Sequence, residues 1–129
     1  MKSDIKSDED IKLLIDTFYS KVNKDEILSP VFNDIAKINW EEHLPIMYSF
    51  WSTILFATER YKGDAFSFHK NLPINKKHFE RWVKLFKETV DNNFSGEKAE
   101  EIKVRVDSMN IMFQKRLGLM SFIDVPKKN

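Results

Sequence analysis

Several residue types and patterns are missing or scarce in this chain of 129 residues, and each absence removes a class of function. The chain contains no cysteine, which excludes disulfides, zinc–thiolate sites, iron–sulfur clusters and thiol catalysis. Only three glycines and four prolines are present, which favours long helices over many tight turns. The net charge is +1 with the two signs mixed along the chain and no basic stripe, so nucleic-acid binding has little support.

Long apolar runs are also missing. The longest, Phe50–Ala57, is far too short to span a bilayer. The first ten residues, MKSDIKSDED, are charged where a signal peptide requires an apolar run. We therefore expect a cytoplasmic protein with no membrane partner. The length fits one domain over residues 1–129, with flexible ends at about residues 1–6 and 121–129.

Aromatic residues, by contrast, are abundant: the chain has 11 phenylalanines, three tryptophans and three tyrosines. Each aromatic side chain buries a large area. A domain of this size that is so rich in them has either a large core or a flat apolar ligand to enclose.

The first half of the chain predicts two helices. A serine cap at Ser7 and an apolar stripe at helical spacing predict a first helix over roughly Asp8–Asn23. Residues 29 and 30 interrupt the chain, and a short helical turn over residues 31 and 32 follows. The second helix is expected to start near Trp40, behind a cap at Asn39. Pro45 predicts a kink or an irregular first turn in it.

The second half predicts two more helices after a loop over residues 58–67. The third helix is expected to run from just after Pro73 to about Asn92. The fourth is expected to follow a cap at Ser95 and to end near Gly118, a typical residue for a helix C-terminus. No segment predicts a strand, so the fold class is all-α.

The stretch Phe66–Phe86 carries the most suggestive pattern for function. It places His69 before an extended break at residues 71–73, and a strongly amphipathic helix follows. Three further polar groups are set into apolar helix faces elsewhere: Tyr19, His43 and Trp82. Taken singly, each has a plainer explanation as an ordinary core, cap or loop residue.

Common catalytic motifs are missing: the chain has no HExxH, no GxSxG and no glycine-rich phosphate loop. The four polar groups together offer one candidate metal ligand and three hydrogen-bonding rings in an aromatic, all-helical domain. A haem requires this combination, because one imidazole holds the iron, apolar side chains exclude water and polar groups on the other side act on bound gas.

The sequence resembles the group III truncated haemoglobins, which are globins with a two-over-two helical sandwich. The resemblance covers roughly Ile11 to Phe113, and it depends on the order and spacing of short motifs rather than on any one of them. These motifs are Phe18-Tyr19, Pro30-Val31-Phe32, His43-Leu44-Pro45 with Phe50-Trp51, Arg60-Tyr61-Lys62-Gly63, His69 followed by Leu72-Pro73, and His78-Phe79-x-Arg81-Trp82 with Leu85-Phe86.

The resemblance implies haem b, iron protoporphyrin IX, as the cofactor and gives roles to individual residues. His69 would be the proximal iron ligand, and Tyr19 and Trp82 would be the distal hydrogen-bond donors. His43 would be the distal histidine, which in this group points into the pocket or swings out of it. His78 and Arg81 would contact the propionates. The residues that would line the haem are Phe32, Met47, Phe50, Trp51, Phe68, Leu72 and Phe79.

One position departs from the family pattern. The residue after Pro45 is often a lysine in this group, where it meets a propionate, and here it is Ile46. That ion pair cannot form, so propionate anchoring must come from His78, Arg81 or Lys70, or be weaker.

The function that the resemblance implies is binding of O2, and of NO, CO or cyanide, for scavenging, sensing or NO/O2 redox chemistry rather than bulk transport. One alternative is a haem enzyme with NO-dioxygenase or peroxidase-like activity, which would need a separate reductase because residues 1–129 show no flavin or nicotinamide domain. Another is a cofactor-free helical interaction module in which the aromatics are only core. We expect a monomer or a weak dimer.

Overall fold

A computed structural model describes residues 2–35, 37–57 and 75–116 of the chain. These residues form α-helices and one π-helical segment, with no strand among them, so the all-α prediction is confirmed. None of the helices in these three ranges is both long and apolar enough to cross a membrane. The elements in chain order are α1 (Asp8–Val22), the π-helical segment (Pro30–Ile35), α2 (Trp40–Phe56), α3 (Lys76–Asn93) and α4 (Glu97–Arg116).

Helix α1 begins at the predicted cap. The Ser7 hydroxyl accepts the backbone N–H of Asp10 at 3.3 Å, and three acidic residues in the first turn complement the helix dipole. The predicted apolar stripe is buried over the whole length of the helix. Its members are Ile11, Leu14, Ile15, Phe18 and Val22.

Helix α2 also begins as predicted, at Trp40. The Asn39 side chain accepts the backbone N–H of Glu41 at 3.2 Å, and the Asn39 carbonyl accepts that of His43 at 2.8 Å. These bonds keep the first turn regular, and the helix continues through Pro45 to Phe56. The irregular first turn expected from the proline is therefore not seen.

Helix α4 has a different cap from the one the sequence predicts. Instead of Ser95, the carboxylate of Asp4 accepts the backbone N–H groups of Lys98 and Ala99, each at 2.9 Å. Gly96 makes room for this arrangement: its φ is +138°, and a Cβ there would lie 2.5 Å from Asp4 Cγ. The cap thus comes from the other end of the chain.

The N-terminal segment, residues 2–6, packs along the junction between α3 and α4. Ile5 is only 1% exposed, and the Ser95 N–H donates to the Ser3 carbonyl at 3.0 Å. The Lys2 ammonium group donates to the carbonyl of Asp91 at 2.7 Å. The sequence pattern does not predict these contacts, because a short charged segment carries no periodicity.

The core lies where α1 packs against α2 and α3, and α3 packs in turn on α4. Phe86 is fully buried at its centre, with its ring 5.1 Å from that of Phe18 and 4.9 Å from that of Trp51. Fixing these three rings orients the neighbouring faces of α1, α2 and α3. Tyr19 and Trp82 lie on those faces.

Candidate functional site

Tyr19 lies at the centre of a cluster of rings contributed by three elements. Its side chain is 4% exposed, although it carries a polar hydroxyl. Its ring centroid is 5.2 Å from that of Trp40, 5.7 Å from that of His43 and 6.0 Å from that of Phe32. We call these four residues the distal cluster. It joins α1, the π-helical segment and the first turn of α2.

Trp82 reaches Tyr19 from α3. Burial raises the pKa of the Tyr19 hydroxyl well above its usual value, and a hydrogen bond with the Trp82 side chain offsets only part of this rise. Since an indole N–H can only donate, the Tyr19 oxygen is the acceptor. Trp82 stacks on Phe86, with ring centroids 5.3 Å apart, and meets Phe18 edge-on at 5.1 Å. The core rings therefore fix the direction in which the indole points.

His43 lies in the first turn of α2 with its ring directed at Tyr19. The two ring planes are 83° apart, and the His43 ring is also edge-on to Trp40, at 5.6 Å and 80°. The Nε2 atom of His43 is buried. The histidine thus points inward here, against the ring of the tyrosine that the resemblance assigns to the same side.

Trp40 belongs to this cluster, although the sequence indicated it only as the start of a helix. Its ring stacks on Phe32 with centroids 6.0 Å apart, and its indole N–H donates to the Asn33 side chain at 2.9 Å. One feature of the sequence could have placed Trp40 in the cluster. It precedes His43 by three residues, so the two side chains share one face of α2.

The apolar residues that were predicted to line the site fall into two groups. Trp51 is 1% exposed and packs on Phe86, so it already has a core neighbour, and Phe79 is also buried. Phe32, Met47 and Phe50 are only partly buried. Leu44, Ile54 and Phe56 on α2 are partly buried too, so this helix carries more apolar surface than its neighbours cover.

These features suit a flat apolar group with a polar centre. The half-buried side chains of α2 could pack on its plane, and the buried hydroxyl, indole and imidazole could face its centre. The residue that would ligate it directly, His69, lies outside the described residues, as do Phe68 and Leu72. In the three described ranges, no group of three or more histidine or carboxylate side chains could hold a metal ion by itself.

His78 takes part in the capping of α3. Its Nδ1 atom accepts the backbone N–H of Asn75 at 3.0 Å, while the Asn75 side chain accepts the N–H groups of Lys77 and His78. A neutral His78 therefore carries its proton on Nε2. That proton is directed away from the cap and is the part of the ring that could donate to a propionate.

Arg81 has a structural partner that the sequence did not reveal. Its Nε atom lies 2.8 Å from the Asp25 carboxylate, which is 5% exposed and also accepts the backbone N–H groups of Ile27 and Leu28. Burial alone would raise the pKa of Asp25, but the Arg81 hydrogen bond, the N–H groups and the Arg81 charge together lower it. The pair ties α3 to the corner after α1. Arg81 is 36% exposed, so part of its guanidinium faces solvent.

Ile46, which stands where the family often has a lysine, is 39% exposed. An isoleucine at the surface offers no ion pair.

Residues 3–115 match the model of a family described as bacterial-like globin. The chain is 32% identical over 121 residues to the group 3 truncated haemoglobin ctb of Campylobacter jejuni, which covers 91% of this chain and 95% of that protein. The crystal structure of group III truncated haemoglobin from Campylobacter jejuni matches the fold with a TM-score of 0.82 at 32% identity. That match covers 91% of this chain and 95% of the other.

Proposed function

Because this chain belongs to the bacterial-like globin family, with group III truncated haemoglobins as its relatives in sequence and fold, we propose that it binds haem b and uses it to hold O2 and other small diatomic ligands. Membership in a globin family implies a haem and small gaseous ligands. The identity of the ligands, the roles of the residues and the form of the haem are our proposal.

In this proposal His69 would supply the imidazole that holds the iron. Phe68 and Leu72 would pack beside it, and Phe32, Met47, Phe50, Trp51 and Phe79 would pack around the ring. The Nε2 proton of His78 and the exposed edge of Arg81 are the candidates for the propionates. When bound, the haem supplies an iron atom at which a diatomic molecule can be held.

The observation that carries the proposal is the meeting of the Tyr19 hydroxyl and the Trp82 indole in one buried place. Both rings pack on Phe18, at 4.8 Å for Tyr19 and 5.1 Å for Trp82. Because an indole N–H can only donate, a bond between the two groups leaves the hydroxyl hydrogen of Tyr19 for a ligand. A hydroxyl that accepts one hydrogen bond becomes a better donor in another. We propose Tyr19 as the principal donor. The single N–H of Trp82 polarises that hydroxyl, and it would turn to the ligand only when the Tyr19 oxygen does not take it.

Two donors in a buried site slow the release of a ligand that carries partial negative charge. A hydrogen bond to a charged acceptor contributes about 1.5–3 kcal/mol, which corresponds to roughly 10- to 150-fold in dissociation rate. Slow release suits scavenging, sensing or NO/O2 redox chemistry, and it suits bulk transport poorly. His43, held against Tyr19, would exclude water from the donors.

The test is a titration of the purified chain with haemin, followed by absorbance. We expect a Soret band that saturates at one haem per chain and that shifts on reduction and addition of CO. A chain with full helical circular dichroism and no saturable band would contradict the proposal and would favour a cofactor-free interaction module.

A further inference from the structure

Trp40 contacts every other member of the distal cluster. Its ring centroid lies 5.2 Å from Tyr19, 5.6 Å from His43 and 6.0 Å from Phe32. Tyr19 is nearly inaccessible, whereas Trp40 and His43 are partly buried. Trp40 therefore lies on the solvent side of the tyrosine, next to the histidine.

The indole of Trp40 is anchored by two asparagines. Its Nε1–H donates to the Asn33 side chain at 2.9 Å, and the Asn33 amide donates in turn to the Asn23 side chain at 3.0 Å. Both asparagines are exposed. The bond to Asn33 therefore fixes the plane and direction of the Trp40 ring.

The backbone between the two elements is tied as well. The N–H of Ile38 donates to the carbonyl of Phe32 at 2.9 Å, which links the start of α2 to the π-helical segment. Asn33 directly follows Phe32, and Trp40 lies two residues after Ile38, so this backbone bond supports the side-chain bond between them. The position of the indole is set by the fold as well as by its own hydrogen bond.

We propose that Trp40, held by Asn33, is a positioning residue that keeps His43 turned inward against Tyr19 and thereby limits how fast ligands reach the site. This inference rests on the proposed function, because it concerns access to a haem ligand site. To turn outward, the His43 ring must give up its edge contacts with both Tyr19 and Trp40. The anchored indole opposes that movement, since it cannot rotate with the histidine without losing its bond to Asn33.

The role differs from that of the two donors. Tyr19 and Trp82 act on a bound ligand and so govern its release, whereas Trp40 acts through His43 on the path to the site. Loss of the Trp40 anchor should therefore raise the association rate and leave the dissociation rate nearly unchanged. A neutral hydrogen bond of this kind corresponds to about a 2- to 10-fold change in the population of the inward state.

The experiment measures CO association by flash photolysis, and O2 dissociation by stopped flow, in the haem-loaded full chain. Trp40→Phe keeps a ring but removes the donor, and Asn33→Ala removes the acceptor. We expect both variants to bind CO about 2- to 10-fold faster, with O2 release changed less than about twofold. Asn93→Ala is the matched control, because it removes a side-chain bond to the Thr89 carbonyl at a point about 16 Å further along α3 than Trp82.

A second readout does not depend on ligand binding. The chain has three tryptophans, so a nitrogen-15 spectrum has three indole N–H signals, and Trp40→Phe identifies one of them. In Asn33→Ala that signal should shift, and its exchange with solvent should become faster. His43 ring signals should move in the same variant.

The outcomes separate the inference from the proposed function. If the variants take up haem and lose the indole anchor but bind CO at the wild-type rate, the positioning role is wrong and the haem proposal stands. If O2 release changes as much as CO association, Trp40 is part of the general pocket wall and the inference is also overturned. Failure of the wild-type chain to take up haem would overturn both.

Discussion

The ring of His43 lies edge-on to the ring of Tyr19, with 5.7 Å between their centroids and 83° between their planes. The two residues come from α2 and α1, and Trp82 approaches from α3 across the Phe18 ring, which lies 4.8 Å from Tyr19 and 5.1 Å from Trp82. All three polar groups that were expected on the distal side are thus gathered before any cofactor is considered. A preformed cluster of this kind does not have to be ordered when a ligand binds.

Tyr19→Phe should release O2 at least several-fold faster than the wild-type chain, because the substitution removes the principal hydrogen-bond donor. The full value of such a bond is roughly 10- to 150-fold, and Trp82 would recover part of it. Stopped-flow displacement of O2 by CO measures the rate. Tyr48→Phe is the matched control: it also removes a hydroxyl, one that donates to Asp16 between α1 and α2, and it should leave release unchanged. Unchanged or slower release in Tyr19→Phe would remove Tyr19 from the proposed role.

His43→Leu should change ligand association more than ligand release. The leucine keeps apolar volume but loses the ring contacts with Tyr19 and Trp40 that hold the histidine inward. Flash photolysis of the CO complex gives association, and O2 displacement gives release. A larger effect on release would assign His43 a role as a donor to the ligand instead.

Asp25→Asn should lower the free energy of unfolding by about 1–3 kcal/mol at pH 7. The substitution breaks the ion pair with Arg81, and it weakens the hydrogen bonds that two backbone N–H groups donate to the Asp25 side chain. The folded pKa of Asp25 lies below its unfolded value of about 3.9. The stabilisation is therefore present above about pH 4 and is lost as pH falls further, through the folded pKa.

Urea unfolding of wild type and Asp25→Asn at several pH values tests this, and the difference between them should shrink below about pH 4. Asp107→Asn serves as the control, because its pair with Lys87 is largely exposed and should contribute about 0–1 kcal/mol. If the difference in unfolding free energy between the two proteins stays constant as the pH is lowered below the pKa of Asp25, the Asp25 charge is not the source of the stability.

Asp4→Ala should destabilise the protein by about 0.5–2 kcal/mol, since it removes the cap of α4. Gly96→Ala should also destabilise, because its Cβ would clash with Asp4 and its φ of +138° suits only glycine. Ser95→Ala tests the cap that the sequence predicts and should change stability by less than about 0.5 kcal/mol. Urea unfolding of the three variants settles which residue caps the helix, and a larger loss in Ser95→Ala would contradict the structure.

Helix caps made by residues close along the chain follow from the sequence, whereas a cap from a distant residue does not. Caps at Ser7 and Asn39 were predictable because each side chain bonds to a backbone N–H two or three residues ahead. Asp4 was not, because it lies far along the chain from Lys98, and only the packed fold brings them together. The same holds for Arg81 and Asp25, which no spacing rule connects.

The residues of the candidate site likewise fall into those that the sequence indicates and one that it does not. Tyr19, His43 and Trp82 were predicted because polar groups on apolar helix faces are unusual, and their order resembles a known family. Trp40 was missed because a tryptophan on an apolar face needs no explanation beyond core packing. Its bond to Asn33 and its contact with His43, on which the proposed role rests, are present only in the folded chain.

The central claim is the proposal that the chain binds haem through the His69 imidazole, with Tyr19 and Trp82 acting on the ligand. Its most direct test is the absorption spectrum of the reduced, CO-treated, haem-loaded chain and of His69→Ala prepared in the same way. We predict a sharp Soret band in the wild-type chain, its loss or displacement in His69→Ala, and its recovery when free imidazole is added to the variant. Identical spectra for the two proteins would contradict the account.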